Sequence, residues 1–178
     1  MTAGPANIYL SGMVGAGKTT LGRLIGEATG RPFLDLDQEI LGETGRDLHD
    51  LVEAEGWLGF RQREYAMVKR FAAMTARIVG LGGGTVRYQW NLDALAGSGP
   101  IVLLTAELSV LTARARAADR PRVHAVGSLE EDLAQIQAEA GERYLATADI
   151  VYATDQGKTV EAEAREIVAL VGDWRGKR

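Results

Sequence analysis

A chain of 178 residues is long enough to bury one substantial core, and its 46% hydrophobic and 25% charged residues are typical of a globular domain. The net charge of −4 and the lack of a basic block argue against nucleic acid as a partner, because binding to a phosphate backbone requires a positive surface. Since the chain has no cysteine, a disulfide framework, a zinc–thiolate centre and a cysteine nucleophile are excluded.

The sequence shows no membrane or secretory segment. No apolar run reaches the roughly 18 residues of a membrane span, and the first residues lack the basic region and apolar stretch of a signal peptide. We therefore expect a single domain over residues 1–178 that is cytoplasmic, contacts no membrane and is monomeric.

The first predicted element is a buried strand at 8–10, which runs into the sequence GMVGAGKT at 12–19. This sequence matches the phosphate-binding loop G-x-x-x-x-G-K-[ST]. Apolar residues at i, i+3, i+4 and i+7, counted from Leu21, predict a helix that begins at Thr20. Strand, glycine loop and helix occur in the order that nucleotide binding requires. The alternative is a glycine-rich turn without a ligand.

The residue types of this loop suit a nucleoside triphosphate. Its glycines let backbone N–H groups converge on an anion, and the N-terminus of the following helix adds positive potential. Lys18 can reach the β- and γ-phosphates, and the Thr19 hydroxyl can ligate Mg²⁺. The predicted ATP-binding residues of the loop are Gly12, Gly15, Ala16, Gly17, Lys18, Thr19 and Thr20.

Two aspartates lie at the end of the second predicted strand, which covers 33–36. Asp35 and Asp37 alternate across this strand end, so one carboxylate can contact a metal shell while the other faces a substrate hydroxyl. The alternative for Asp37 is a helix N-cap, because it opens a helical stretch and aspartate is a common cap. The sequence leaves both interpretations of Asp37 open.

The rest of the chain continues to alternate strands and helices. Further strands are predicted at 77–81, 101–104 and 149–153. Further helices are predicted at 38–44, 47–54, 57–75, 91–96, 107–117, 128–145 and 158–172, and a mobile loop at 118–127. This alternation predicts an α/β fold, a three-layer α/β/α domain around a five-stranded parallel sheet, with ligands at the carboxyl ends of the strands.

Two further features are candidates for the same edge of the sheet. Arg61 and Glu64 are i, i+3 neighbours on a predicted helix, for which a solvated surface ion pair is the alternative interpretation. Gly82, Gly83 and Gly84 follow a buried strand, and three consecutive glycines permit a ligand to approach the backbone closely. The alternative for the glycines is a simple flexible turn.

Taken together, these motifs resemble the shikimate kinase family. Residues 12–23 resemble that family's phosphate loop and following helix, and its other signatures follow in the family's order. They are FLDLD at 33–37, Gly56 with FRxxE at 60–64, GGG at 82–84, Arg120-Pro121 and Arg143-Tyr144. The resemblance extends over roughly residues 6–160.

The resemblance implies transfer of the γ-phosphoryl group of ATP to the 3-hydroxyl of shikimate, with Mg²⁺ as cofactor. It implies a substrate-binding helical segment at about 38–75 and a lid at about 116–128. Lys18, Asp37 and Arg120 would be the catalytic residues, with Arg120 closing from the lid over the phosphates.

The resemblance also implies roles for the other candidate residues. Asp37 would hold the reacting hydroxyl and help remove its proton, and Thr19 and Asp35 would order the Mg²⁺ shell. Arg114 or Arg116 would flank the adenine. The shikimate carboxylate would be bound by Arg61 and Arg143, near the backbone N–H groups of Gly83 and Gly84.

Two positions depart from the family's pattern. Trp57 stands where the family usually has glutamate, and Arg122-Val123 stands where its lid usually has two leucines. One alternative is therefore a kinase of the same fold for another small hydroxylated substrate, such as gluconate, an aminocyclitol or a nucleotide. Another is a non-catalytic, nucleotide-dependent regulator. The two substrate arginines favour an acidic substrate, and Asp37 with the lid arginine argues against a regulator.

Overall fold

The computed structural model describes residues 6–116, 124 and 127–172, and its centre is a five-stranded, all-parallel sheet. The strands are β1 (Ile8–Ser11), β2 (Phe33–Asp35), β3 (Ile78–Gly80), β4 (Ile101–Thr105) and β5 (Ile150–Ala153), in the order β2-β3-β1-β4-β5. The helices are α1 (Lys18–Thr29), α2 (Leu36–Thr44), α3 (Leu48–Ala72), α4 (Gln89–Leu95), α5 (Leu108–Ala115), α6 (Leu129–Thr147) and α7 (Val160–Gly172). The predicted α/β fold with a five-stranded parallel sheet is confirmed.

The middle strand, β1, is apolar at successive positions because it is covered on both faces. Tyr9 and Leu10 are completely buried, and β1 pairs on one side with β3 and on the other with β4. A parallel strand covered on both faces requires apolar residues at successive positions, which is the pattern that the sequence shows there. Of the helices, α1 packs against α7 and α5 against α6. Within the described residues, no helix is long and apolar enough to cross a membrane.

Several predicted helix boundaries are wrong by a few residues. Helix α1 begins at Lys18 rather than at Thr20, because Gly17, in the left-handed conformation with φ 96°, is the last non-helical residue. Helix α2 begins at Leu36 rather than at residue 38, so β2 ends one residue earlier than predicted. These shifts place the phosphate loop and the two aspartates directly against helix N-termini.

The predicted helices at 47–54 and 57–75 form a single element, α3, with a kink at Gly56. Gly56 has φ 68° and ψ 172°, a backbone conformation that only glycine adopts readily. The kink separates the first turns of α3 from the part that carries the predicted Arg61–Glu64 motif. The helical segment predicted at 38–75 therefore consists of α2 and a bent α3, joined at Gly45.

In the C-terminal third of the chain, α6 begins with the capping box predicted from the sequence. Ser128 Oγ accepts from the Glu131 N–H at 3.2 Å, and the Glu131 carboxylate accepts from the Ser128 N–H at 2.6 Å. Of the lid predicted at about 116–128, most residues, including Arg120 and Arg122, lie outside the described part of the chain.

A buried amide just before β1 fixes the start of the sheet. Asn7 is completely buried, and its Nδ2 donates to the carbonyl oxygens of Phe71 at 3.1 Å and Met74 at 2.9 Å. Its Oδ1 accepts from the Arg77 N–H at 2.9 Å. One side chain therefore connects β1 with the C-terminal end of α3 and with the entry to β3.

We predict that Asn7→Leu lowers the free energy of unfolding by about 2–3 kcal/mol, because buried backbone groups lose their partners. The measurement is urea unfolding followed by circular dichroism. Gln156→Leu is the control, since Gln156 is exposed and its amide bonds to its neighbour Asp155 at 2.9 Å. Equal losses in both variants would show that the Asn7 network does not stabilise the fold.

Candidate active site

The phosphate loop is held in a conformation that excludes side chains at its glycines. Gly12, Gly15 and Gly17 all have positive φ, at 140°, 84° and 96°. A β-carbon on Gly12 would lie 2.5 Å from the Leu104 carbonyl oxygen, and one on Gly15 would lie 2.5 Å from that of Leu111. The loop thus packs directly on β4 and α5, and glycine is required both by backbone conformation and by space.

Lys18 extends back over this loop. Its Nζ donates to the carbonyl oxygens of Gly12 at 2.7 Å and Met13 at 3.0 Å, so the ammonium lies over the concave side of the loop. The cleft at this point has a volume of about 410 Å³ and is lined by Gly15, Gly17, Lys18, Thr19 and Thr20, among others. Ala16 is completely buried in the core and is not in the lining of the cleft, and its carbonyl accepts from Thr154 Oγ1 at 3.3 Å.

Thr19 and Asp35 meet at the floor of the cleft. The Thr19 hydroxyl donates to Asp35 Oδ2 at 2.7 Å, while Asp35 Oδ1 accepts from the Gln38 N–H at 3.3 Å and caps α2. No cluster of three or more His, Asp or Glu side chains suited to a metal occurs in the described ranges. Mg²⁺ commonly takes only one or two protein oxygens and completes its shell with phosphate and water, so these two side chains fit it.

The far end of the cleft holds an arginine. Arg114 donates from Nη1 to Thr154 Oγ1 at 3.0 Å and from Nη2 to the Thr154 carbonyl at 2.8 Å, and it lines the same cleft as Lys18. Arg116 caps the C-terminus of α5 and is absent from the lining of the cleft. Of the two arginines proposed for the adenine, Arg114 therefore has the better position.

Sequence reasoning missed a carboxylate beside Arg114. Glu163 on α7 is 3% exposed and lines the end of the cleft with Arg114. Burial raises the pKa of Glu163, and the positive charge of Arg114 partly opposes that effect. No motif marks this residue, because α7 is distant in sequence from the phosphate loop.

Asp37 lies between the cleft and a second cavity. It is 5% exposed, lies within the first turn of α2, and lines both spaces. The alternative that Asp37 is the N-cap of this helix is wrong, because Asp35 occupies that position. A carboxylate at this junction can contact both a group in the phosphate cleft and a group in the second cavity.

The second cavity contains Arg61 in an aromatic surround. The Arg61 guanidinium carbon lies 5.4 Å from the ring centre of Trp57, 5.2 Å from that of Phe60 and 5.3 Å from that of Tyr88. Cation–π attraction from three rings restricts the orientation of the guanidinium. The cavity is lined by Met13, Val14, Asp37, Leu48, Trp57, Phe60, Arg61, Gly83, Gly84, Arg87, Leu133, Ile136 and Tyr144.

The interpretation of Arg61 and Glu64 as a solvated surface ion pair is wrong, because the pair is buried. The Glu64 side chain is fully buried and that of Arg61 is 11% exposed, with Nη1 donating to Oε1 at 2.8 Å. Glu64 also accepts from Thr85 Oγ1 at 2.8 Å and from Asn91 Nδ2 at 3.3 Å. Burial raises the pKa of Glu64, and the nearby Arg61 charge opposes that effect.

Two of the three glycines after β3, Gly82 and Gly84, pack too closely for a flexible turn. A β-carbon on Gly82 would lie 2.8 Å from Asp37 Oδ1 and 3.0 Å from Glu64 Oε1, and one on Gly84 would lie 2.6 Å from Arg61 Nη2. The glycines thus let the backbone pass directly against the side chains of the second cavity. A 3₁₀ turn, Thr85–Arg87, follows immediately and fixes the exit of the chain.

Tyr144 lies in the wall of this cavity and contacts the glycine run directly. Its hydroxyl donates to the Gly83 carbonyl, and burial raises the pKa of Tyr144 to about 12. Its neighbour Arg143 donates from Nε to the Val86 carbonyl at 3.1 Å and from Nη2 to Gln89 Oε1 at 2.8 Å. Arg143 lines a separate groove beside α4 rather than the cavity, and its carboxylate-binding role stays a prediction.

The comparisons with known proteins point to one family. A family model described as shikimate kinase matches residues 14–171. A shikimate kinase of Symbiobacterium thermophilum is 44% identical over 110 residues, 62% of this chain and 63% of the relative. A shikimate kinase of Chromohalobacter salexigens is 37% identical over 154 residues, which cover 86% of this chain and 85% of that protein.

A solved structure agrees with the sequence comparisons. The shikimate kinase of Acinetobacter baumannii, solved in complex with shikimate, matches 94% of this chain and 93% of its own, with a TM-score of 0.88 and 33% identity. The match of the family model alone covers most of the sequence. The chain belongs to the shikimate kinase family.

Proposed function

We propose that this protein transfers the γ-phosphoryl group of ATP to the 3-hydroxyl of shikimate, giving shikimate 3-phosphate and ADP. The observation that carries the proposal is the position of Asp37, which lines both the phosphate cleft and the cavity of Arg61. A hydroxyl held by Asp37 in one space faces a γ-phosphate held by Lys18 in the other. Family membership and the shikimate complex of the Acinetobacter enzyme support this choice of substrate.

The nucleotide side of the reaction depends on charge and position. Phosphoryl transfer has a loose transition state, so catalysis consists chiefly of alignment and neutralisation of the phosphate oxygens. The Lys18 ammonium and the backbone N–H groups of the loop stabilise negative charge on the β- and γ-phosphates. Arg114 and Glu163 line the base end of the cleft and bind the nucleoside part.

Thr19 and Asp35 are the residues that would hold Mg²⁺, as proposed from their contact at 2.7 Å. When bound there with ATP, Mg²⁺ would neutralise negative charge on the phosphates. Asp35 also caps α2, so its carboxylate is fixed with respect to Asp37 two residues later. Asp35 and the hydroxyl-binding Asp37 are therefore held by one helix N-terminus, and Thr19 reaches Asp35 from α1.

On the acceptor side, Asp37 orients the reacting hydroxyl and accepts its proton as the bond to phosphorus forms. Arg61 binds the substrate carboxylate, because its guanidinium is oriented by Glu64 and by aromatic rings. Gly83 and Gly84 line the same cavity, and their backbone N–H groups would bind the carboxylate beside Arg61. The roles of Arg120 and Arg143, the cytoplasmic location and the monomeric state stay predictions.

The test of the proposal is ADP formation by the purified protein with Mg²⁺ and ATP, with and without shikimate. We expect ADP to form at a high rate only with shikimate, and gluconate at the same concentration to give the background rate. Preference for gluconate, or ATP binding without turnover on any acceptor, would overturn the proposal.

Lys18→Ala should abolish the shikimate-dependent rate without changing the circular dichroism spectrum, because the developing phosphoryl charge loses its cation.

Asp37→Asn preserves the shape of the side chain but removes the anionic proton acceptor. We predict a fall in kcat of roughly 10²–10⁴, the usual range for a positioned general base, with little change in melting temperature. Glu39→Gln is the matched control, since Glu39 is exposed on the same helix. An Asp37→Asn enzyme as active as the Glu39→Gln control would remove Asp37 from the mechanism.

Arg61→Met removes the guanidinium but retains much of its apolar bulk. We predict that shikimate binding weakens by about 2–5 kcal/mol, as for a truncated charge pair, while the KM for ATP stays unchanged. Arg63→Met is the control, because Arg63 is exposed on α3 and bonds to Glu55 at 2.7 Å. Weaker ATP binding with unchanged shikimate binding would contradict the assignment of Arg61.

A further inference from the structure

The second cavity, which Asp37 and Arg61 line, contains another arginine that the sequence motifs do not mark. Arg87 ends the 3₁₀ turn that follows the glycine run, and it lines the cavity together with Asp37 and Arg61. Its side chain is 24% exposed, so its guanidinium is open to a ligand. The Arg87 N–H donates to the Gly84 carbonyl at 3.1 Å, which ties the residue to the glycine backbone.

The orientation of Arg87 is set from α6. Its Nη2 donates to Glu139 Oε2 at 3.2 Å, and this contact holds one edge of the guanidinium fork. Arg87 and Arg61 both act on the Tyr144 hydroxyl: their positive charges oppose the rise in the pKa of Tyr144 that burial causes. The two guanidiniums therefore approach the same wall of the cavity from different elements.

The charge of the cavity shows why one arginine is insufficient. The fully buried Glu64 formally balances Arg61, and Asp37 adds a further negative charge to the lining. A substrate carboxylate that enters this space meets no net positive charge from these three groups. Arg87 is the additional cation among the described residues that line the cavity, and its partner Glu139 is 39% exposed and better screened by water.

We propose that Arg87 is a further carboxylate-binding residue, in addition to Arg61 and the predicted Arg143, and that it makes the cavity select an acidic acceptor over its neutral analogue. The inference rests on the proposed function and adds a residue to its acceptor site. Arg143 supports Arg87 indirectly, because it donates to the carbonyl of Val86, the preceding residue. The glycine turn thus places both its own backbone and the Arg87 cation in the lining of the cavity.

The experiment compares shikimate with its neutral methyl ester. The quantity measured is the ratio of kcat/KM for the acid to kcat/KM for the ester. We expect Arg87→Met to lower this ratio by roughly 10- to 100-fold, the range for losing a charge-assisted hydrogen bond, with the KM for ATP unchanged. Arg70→Met is the control and should leave the ratio unchanged. Arg70 is exposed in the last turn of α3 and pairs with Glu43 on α2.

Three results separate this inference from the proposed function. A wild-type protein that forms no shikimate-dependent ADP overturns the proposed function itself. A normal wild-type rate with an unchanged acid-to-ester ratio in Arg87→Met overturns only the role of Arg87, and so does an equal loss with both substrates. If Arg87→Met does not fold, Arg87→Gln removes the charge but retains a polar side chain: a ratio lowered by about tenfold supports the proposal, and the wild-type ratio overturns it.

Discussion

The buried carboxylate of Glu64 is the interaction on which the acceptor side of this protein depends. It joins Arg61 on the same helix, Thr85 in the turn after β3 and Asn91 on α4. A buried charge is tolerated only when its lone pairs are satisfied, so these partners cannot move independently. The network therefore fixes α3, the glycine turn and α4 relative to one another. Arg61 lines the cavity, whereas its partner Glu64 does not.

The nucleotide side is built on a different constraint, the absence of β-carbons. Gly12 and Gly15 pass within van der Waals distance of the backbone of β4 and α5, and the loop is consequently shaped by its packing before a nucleotide binds. Such pre-organisation reduces the entropy lost on binding. Lys18 adds to it, because its ammonium is already held over the loop by two carbonyl oxygens. The site thus combines a tightly packed backbone loop with a lysine ammonium that the loop itself holds.

The two halves meet at the N-terminus of α2. Asp35 caps this helix and bonds to Thr19, and Asp37, within its first turn, borders both spaces. A helix N-terminus attracts acidic side chains, so this position suits the two aspartates. The parallel order of the strands explains the meeting point: β1, β2 and β3 are adjacent, and all three end at the same edge of the sheet.

Much of this protein follows from its sequence alone, where the relevant interactions are local. The phosphate loop, the alternation of strands and helices and the Ser128–Glu131 capping box depend on residues only a few positions apart, and the ordered motifs identify the family. The tertiary structure decided the rest. Glu64 is buried because residues 21 and 27 positions further along contact it, and Arg114 rather than Arg116 lines the cleft through a bond to Thr154, 40 positions away. Arg87 enters the cavity because the glycine turn and α6 meet there. Burial and charge balance depend on contacts between segments that are far apart in the sequence, so no local sequence pattern encodes them.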